Sequence, residues 1–151
     1  MIGLLQRVTD ASVEVGGEII ARIGRGLLVL VAVERDDAPV DAVRLAERLL
    51  TYRVFPDDAN RMNLSVLDIG GAVLLVPQFT LAADTSSGTR PGFSRAADPE
   101  RAAALFAELH RAVAARSAGC AVGRFGADMQ VRLTNDGPVT FWLRAAPQGS
   151  A

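Results

Sequence analysis

The chain has 151 residues, half of them hydrophobic and 22% charged, a composition that fits one compact domain and excludes disorder over most of the length. Sixteen basic residues against seventeen acidic ones leave a net charge of −1, so contact with a polyanion has to come from a local patch. All sixteen are Arg, which removes a Schiff-base amine, a lysine general base and a Walker-type phosphate loop.

Ile2 to Thr9 reads as a strand, and Ser12 to Val15 alternates polar with apolar in the same way. Gly16-Gly17 signals a hairpin turn, followed by strands over Glu18 to Ile23 and Leu27 to Val33. Asp37 and Ala38-Pro39 open a first helix whose buried face is expected to hold Val40, Val43, Ala46, Leu49 and Leu50. Two short strands are expected to flank Gly70-Gly71, the second ending in Ala72 to Val76. Gln78 to Ala97 has no sustained period, and a loop of that length inside a compact domain usually carries function.

Asp98-Pro99-Glu100 supplies a cap, a first-turn proline and an early acid for a second helix. Ala102, Leu105, Phe106, Leu109 and Val113 form its buried face, and Gly119 ends it. Ala121 to Phe125, Met129 to Thr134 and Val139 to Leu143 are expected to be closing strands, and 145–151 a flexible tail after a domain spanning 1–144. The order of elements gives an α+β domain with a mainly antiparallel sheet and two principal helices covering one side.

Cys120 is alone, which excludes an intramolecular disulfide and a Cys-rich metal site and suits a cytoplasmic location. Arg7 and Asp10 interrupt the first apolar run, so no signal peptide is expected, and no stretch approaches the twenty or so apolar residues of a membrane span. His110 reads as a helix residue at the edge of the buried face. It and Cys120 lie on either side of a helix end, which disfavours a Cys–His dyad. No metal and no cofactor are expected.

Two segments break local rules, as functional sites tend to do. Pro77 cannot donate to a sheet ladder, so the strand before it must end there or lie at an edge. Beyond it, the N–H groups of Phe79 and Thr80 are either free for an oxyanion or part of a plain strand end with Phe79 in the core. Composition favours the plain end. The second segment, Asn135-Asp136-Gly137-Pro138, is either an ordinary tight turn or the site of a cis Gly-Pro bond.

At these segments the chain resembles the D-aminoacyl-tRNA deacylases, also called D-tyrosyl-tRNA deacylases. The likeness runs through Leu5-Gln6-Arg7-Val8, Ile23-Gly24-Arg25-Gly26, Met62-Asn63-Leu64-Ser65, Gln78-Phe79-Thr80-Leu81, Ala83-Asp84-Thr85, Arg90-Pro91, Phe125-Gly126-Ala127-Asp128-Met129 and Asn135 to Thr140. The resemblance implies hydrolysis of the ester joining a D-amino acid to the 3′ end of tRNA. It also implies a homodimer with its sites at the subunit boundary. Gln78, Phe79 and Thr80 would line the reaction centre, and a cis Gly137-Pro138 of the other subunit would form a chirality filter. Main chain cannot rotate aside, so an L side chain would collide with it, a D side chain would point away, and glycine would pass. Glycyl-tRNA is therefore an expected second substrate.

With no His or Lys in these motifs to activate Thr80, water attack assisted by the terminal 2′-hydroxyl is expected, with N–H groups near Phe79 and Thr80 holding the oxyanion. The chain departs from the family pattern at Pro77 and Gly92, where relatives carry Ser, and in the loop Ser86 to Arg90, which has one Arg. RNA contact is assigned to Arg7, Arg25, Arg90 and Arg95, with aminoacyl-tRNA as the partner and neither DNA nor membrane. The competing reading is a dimeric RNA- or protein-binding module of the same fold with catalysis weakened or lost. A general esterase is a third.

Overall fold

The computed structural model describes residues 1–146. Ile2–Val15 forms a single strand, β1, where the sequence suggested two. Its ladder is broken at Thr9 and Asp10, between partner Gly26 of β3 (Gly26–Ala32) and partner Ile23 of β2 (Glu18–Ile23). Both β2 and β3 run antiparallel to β1, in the case of β2 as the Gly16-Gly17 hairpin requires.

β3 then takes a parallel neighbour, β6 (Ala72–Pro77), which pairs in parallel with β7 (Gly119–Val122). Parallel pairs need crossovers, and α1 (Pro39–Thr51) and α2 (Pro99–Ala114) supply them. A Cβ at Gly26 would lie 1.8 Å from the Ala72 carbonyl oxygen, so only glycine lets β3 and β6 approach here. Between α1 and β6, β4 (Phe55–Pro56) and β5 (Met62–Leu64) form a small separate ribbon. β8 (Gln130–Arg144) pairs antiparallel along nearly the whole of β1. The sheet is mainly antiparallel with a parallel trio, in the expected α+β class.

Both faces of this sheet are buried. Leu27, Val29 and Leu75 pack under Leu45, Leu49, Leu105 and Leu109 of the two helices. The alternate residues Leu28, Leu74 and Val76 turn to the other side, where the sheet curls over Val8, Val13 and Ile23 towards a barrel. Curling brings the start of β8, with Val131 and Leu133, against the end of β6.

Five local expectations need correction. Val40 and Val43 are 50% and 53% exposed, and in their place α1 buries Asp41, Ala42 and Leu45 beside the expected Ala46, Leu49 and Leu50. Asp41 is inside because its carboxylate accepts from the Ala38 N–H at the helix start. Val66 to Gly70 is a turn, so no strand leads directly into Gly70-Gly71. β7 stops at Val122, and the expected pair of closing strands across Asn135–Pro138 is one strand. Ala145 is buried and exchanges hydrogen bonds with Met1, so the tail does not begin there, and residues 147–151 lie outside the described ones. Helix α2 starts as expected, with Asp98 accepting from the Arg101 N–H and all five residues of the expected face buried, but it ends at Ala114 and Gly119 opens β7 rather than closing the helix. Among the described residues no helix is long and apolar enough to cross a membrane.

Candidate active site

Pro77 ends β6 opposite Val31, and the Gln78 N–H makes the last bond to that strand, 2.7 Å from the Val31 carbonyl oxygen. Without a proline N–H to extend the ladder, the chain tightens into a 3-10 turn, Phe79–Ala82. The first N–H groups of such a turn have no acceptor inside it, which leaves those of Phe79 and Thr80 unused by the turn. The Gln78 side-chain amide donates to the Thr80 hydroxyl, so the two polar side chains hold each other. Phe79 is 59% exposed, which rules out the plain core reading, and its ring meets that of Phe93 at 5.2 Å.

This turn borders a cleft of about 500 Å³. Val76 to Phe79 form one wall, Pro99 and Ala102 at the start of α2 a second, and Phe125 to Met129 with Val131 the third. The lining is mostly apolar, with the Gln78 amide and the Asp128 carboxylate as its polar side chains. A polar rim on an apolar slot is the usual build of a small-molecule or nucleoside site. The motif Phe125 to Met129, assigned no role from the sequence, is thus part of the cleft.

The second segment is a bulge in β8. Asn135 stands opposite Val8 and Thr140 opposite Gln6, so residues 136–139 face Arg7 alone. Arg7 holds the bulge from below: its Nε donates to the Asp136 carbonyl oxygen at 2.8 Å and its Nη1 to that of Val54 at 2.7 Å. Asn135 closes the bulge from its other end, accepting from the Val139 N–H at 2.7 Å and donating to the Thr140 hydroxyl at 3.0 Å. The Gly137-Pro138 bond is cis, and both residues are exposed while Val139 is buried. Arg7, expected on the RNA surface, is therefore spent inside the protein with its side chain 12% exposed. Nothing in the sequence links it to Asp136, which lies 129 residues away.

The two segments do not meet within one chain. Gly137 and Pro138 are not part of the cleft lining. From Val131 at the cleft, an extended strand covers roughly 20 Å to reach Gly137. The remaining arginines are also spread out. Arg25, on the β2–β3 link, lies over the Phe55 ring at 5.4 Å. Arg90 borders a shallow cavity of about 330 Å³ in the loop Thr85 to Pro91. Arg95 is exposed and its charge helps keep Asp84 ionised, although hydrogen bonds from Ser86 do most to hold that carboxyl below its ordinary range. Burial pushes the Cys120 thiol up to about 11, so it is protonated at neutral pH and no nucleophile. His110 is on α2, away from the cleft lining.

The D-Tyr-tRNA(Tyr) deacylase family model matches residues 4–144, a span that contains both segments. The D-aminoacyl-tRNA deacylase of Alkalilimnicola ehrlichii is 61% identical over 99% of this chain and 100% of its own length. That of Nitrosococcus oceani is 60% identical over 97% and 95%. A solved structure described as c-Myc DNA unwinding element binding protein is similar with a TM-score of 0.93 at 36% identity, covering 97% of this chain and 100% of its own. Another, described as a probable eukaryotic D-amino acid tRNA deacylase, covers 94% of this chain and 97% of its own at a TM-score of 0.83 and 18% identity, and shares the fold. The curled α+β sheet, with its Gln-Phe-Thr turn and Gly-Pro bulge, thus belongs with the aminoacyl-ester hydrolases. The chain is a member of the D-Tyr-tRNA(Tyr) deacylase family.

Proposed function

We propose that this protein hydrolyses the ester bond of D-aminoacyl-tRNA, and of glycyl-tRNA, while sparing L-aminoacyl-tRNA. The observation that carries this reading is the pairing of two half-sites in one chain. One is an apolar cleft lined by Gln78 and Phe79, with Thr80 next in the turn and outside the lining, and the other an exposed Gly137-Pro138 bulge, held by Arg7 and Asn135 and likewise outside that lining. A second copy completes the site by inserting its bulge beside the first copy's cleft, which makes the working protein a homodimer.

In this arrangement the terminal adenosine base fills the slot between Phe79 and Phe125, which leaves the ester beside Thr80. Water adds to the ester carbonyl, assisted by the adenosine 2′-hydroxyl. The N–H groups of Phe79 and Thr80 receive the oxyanion, each such donor being worth about 10²–10³ in rate. The bond to the 3′-oxygen then breaks, that oxygen takes a proton, and free amino acid and tRNA leave. Thr80 positions substrate and needs no activating base. The bulge, held by Arg7 and Asn135, presents main chain to the α-carbon and excludes the L side chain by shape. Such a substrate is cytoplasmic, and the protein is expected there.

The test is release of amino acid from D-tyrosyl-, L-tyrosyl- and glycyl-tRNA at equal enzyme concentration. Cleavage of the first and third with the second spared is the expected result, and equal cleavage of both tyrosyl esters would refute the reading. A stable acyl-enzyme on Thr80 would replace water by the threonine as nucleophile. No release at any enzyme concentration would reduce the protein to an RNA-binding module of the same fold.

A further inference from the structure

One exposed aromatic beside the cleft has no part in the scheme above. Phe93 is 41% exposed, and its ring lies 5.2 Å from that of Phe79 at a 50° tilt. Phe79 borders the cleft and Phe93 does not, so Phe93 stands on the outer side of Phe79. Its exposure is not that of a loose loop. Gly92 and Asp84 exchange backbone hydrogen bonds of 3.0 and 2.7 Å just before it. Just after it, the Arg35 N–H reaches the Arg95 carbonyl oxygen at 2.8 Å and the Ala97 N–H reaches that of Val33 at 3.0 Å. The fold holds an apolar ring in water next to a functional cleft, at a cost that core packing does not repay.

Two arginines, Arg90 and Arg95, share this short segment and are exposed. Aromatic rings with Arg beside a groove are the chemistry that binds single-stranded nucleic acid, the rings stacking bases and the cations meeting phosphates. We propose that Phe93 is a second stacking platform, which takes the base preceding the 3′-terminal adenosine while Phe79 and the cleft take the adenosine itself. Arg90 and Arg95 then lie where the linking phosphates pass. The assignment rests on the aminoacyl-tRNA reading and adds to it that the enzyme grips its RNA by more than one nucleotide. Phe93 is a binding residue in this role and takes no part in the chemical step.

The measurement is steady-state hydrolysis of two substrates, D-tyrosyl-tRNA and 3′-O-(D-tyrosyl)adenosine, which ends before the base in question. For Phe93→Ala the KM on the tRNA ester is expected to rise about tenfold or more, the usual consequence of losing one stacked base, with kcat unchanged. The KM on the adenosine ester stays at the wild-type value, and Phe93→Trp restores tRNA binding. Equal loss on both substrates would show that Phe93 only supports Phe79, and no loss on either would show that nothing stacks there. Both outcomes overturn the proposal. A Phe93→Ala protein that sediments as a monomer would assign the ring to the second copy of the chain instead. A wild type that cleaves neither ester would overturn the functional reading itself and the stacking role with it. Cleavage of both by wild type isolates the question to Phe93.

Discussion

Gly137 has a φ of 153°, and a Cβ there would lie 2.6 Å from Val139 Cγ2 and 2.7 Å from its nitrogen. Neither neighbour can give way easily, because Val139 is buried and its N–H is bonded to Asn135. Gly137→Ala is therefore strained by about 1–3 kcal/mol, which in a chain of this size lowers Tm by a few degrees at most per kcal/mol. The fold survives while the bulge changes shape. At least a tenfold fall in kcat/KM on D-tyrosyl-tRNA, roughly 1.4 kcal/mol, is expected with it. Full activity and an unchanged preference between the tyrosyl enantiomers would remove Gly137 from the filter.

A second prediction concerns Asp68 and Asp84. The Ser65 N–H, 2.8 Å from Asp68, does most to hold that carboxyl below its ordinary 3.8, and for Asp84 the Ser86 side chain does most, followed by the Ser86 N–H at 3.0 Å. A depressed folded-state value means their contribution to stability is complete above the ordinary carboxylate range. It is lost as pH falls through the lowered value. Carbon-13 titration of the two carboxyl groups is the check, and midpoints at or above 3.8 would contradict the geometry.

At the scale of elements, α1 and β8 are where local pattern and final structure part. On α1 the Val residues at 40 and 43 outrank Ala42 in hydrophobicity, so periodicity alone turns the helix towards them. Packing decides otherwise, because small Ala residues let α1 lie close to its neighbours while Asp41 caps the first turn from inside. The corrected face has a measurable consequence. Leu45→Ala removes a fully buried side chain that the pattern left off the face, and is expected to cost about 2–5 kcal/mol in chemical denaturation. Val43→Ala, at 53% exposure, is expected to stay within about 0.5 kcal/mol. The reverse order would restore the face read from the sequence. In β8, Asn-Asp-Gly-Pro has the composition of a turn, and local chemistry cannot say whether the strand beyond it doubles back. It continues because both halves find partners on β1, and Arg7 of β1 is placed to hold what lies between.

For the whole molecule, the proposed reading makes a distinctive prediction about mixed dimers. In a dimer that combines a Gly137→Ala chain with a Thr80→Ala chain, one site has both half-sites intact and the other has neither. If Thr80→Ala by itself is impaired, random re-pairing restores about a quarter of the wild-type sites, more than either variant alone supplies. Activity measured after subunit exchange, with exchange itself followed by mass spectrometry, tests this. Demonstrated exchange without gain would place both segments in one protomer's site or in none. The salt response belongs to this scale too. With Arg7 committed to Asp136 and Val54, only Arg25, Arg90 and Arg95 of the assigned set remain for phosphates. A single-strand contact through three cations gives a slope of log affinity against log salt of about −2.

The sequence by itself determined the α+β class, the extent of β2, the start and buried face of α2, the break at Pro77 and the residues of both proposed site segments. Each depends on short-range rules: alternation, capping, the missing proline N–H, and motifs read in order. Only the tertiary structure decided that Phe79 stands in solvent beside a cleft, that Arg7 braces a bulge far along the chain, and that the two segments lie apart. Those outcomes come from strand pairing and sheet curvature, which set residues distant in sequence against one another. No local window of amino acids contains that information.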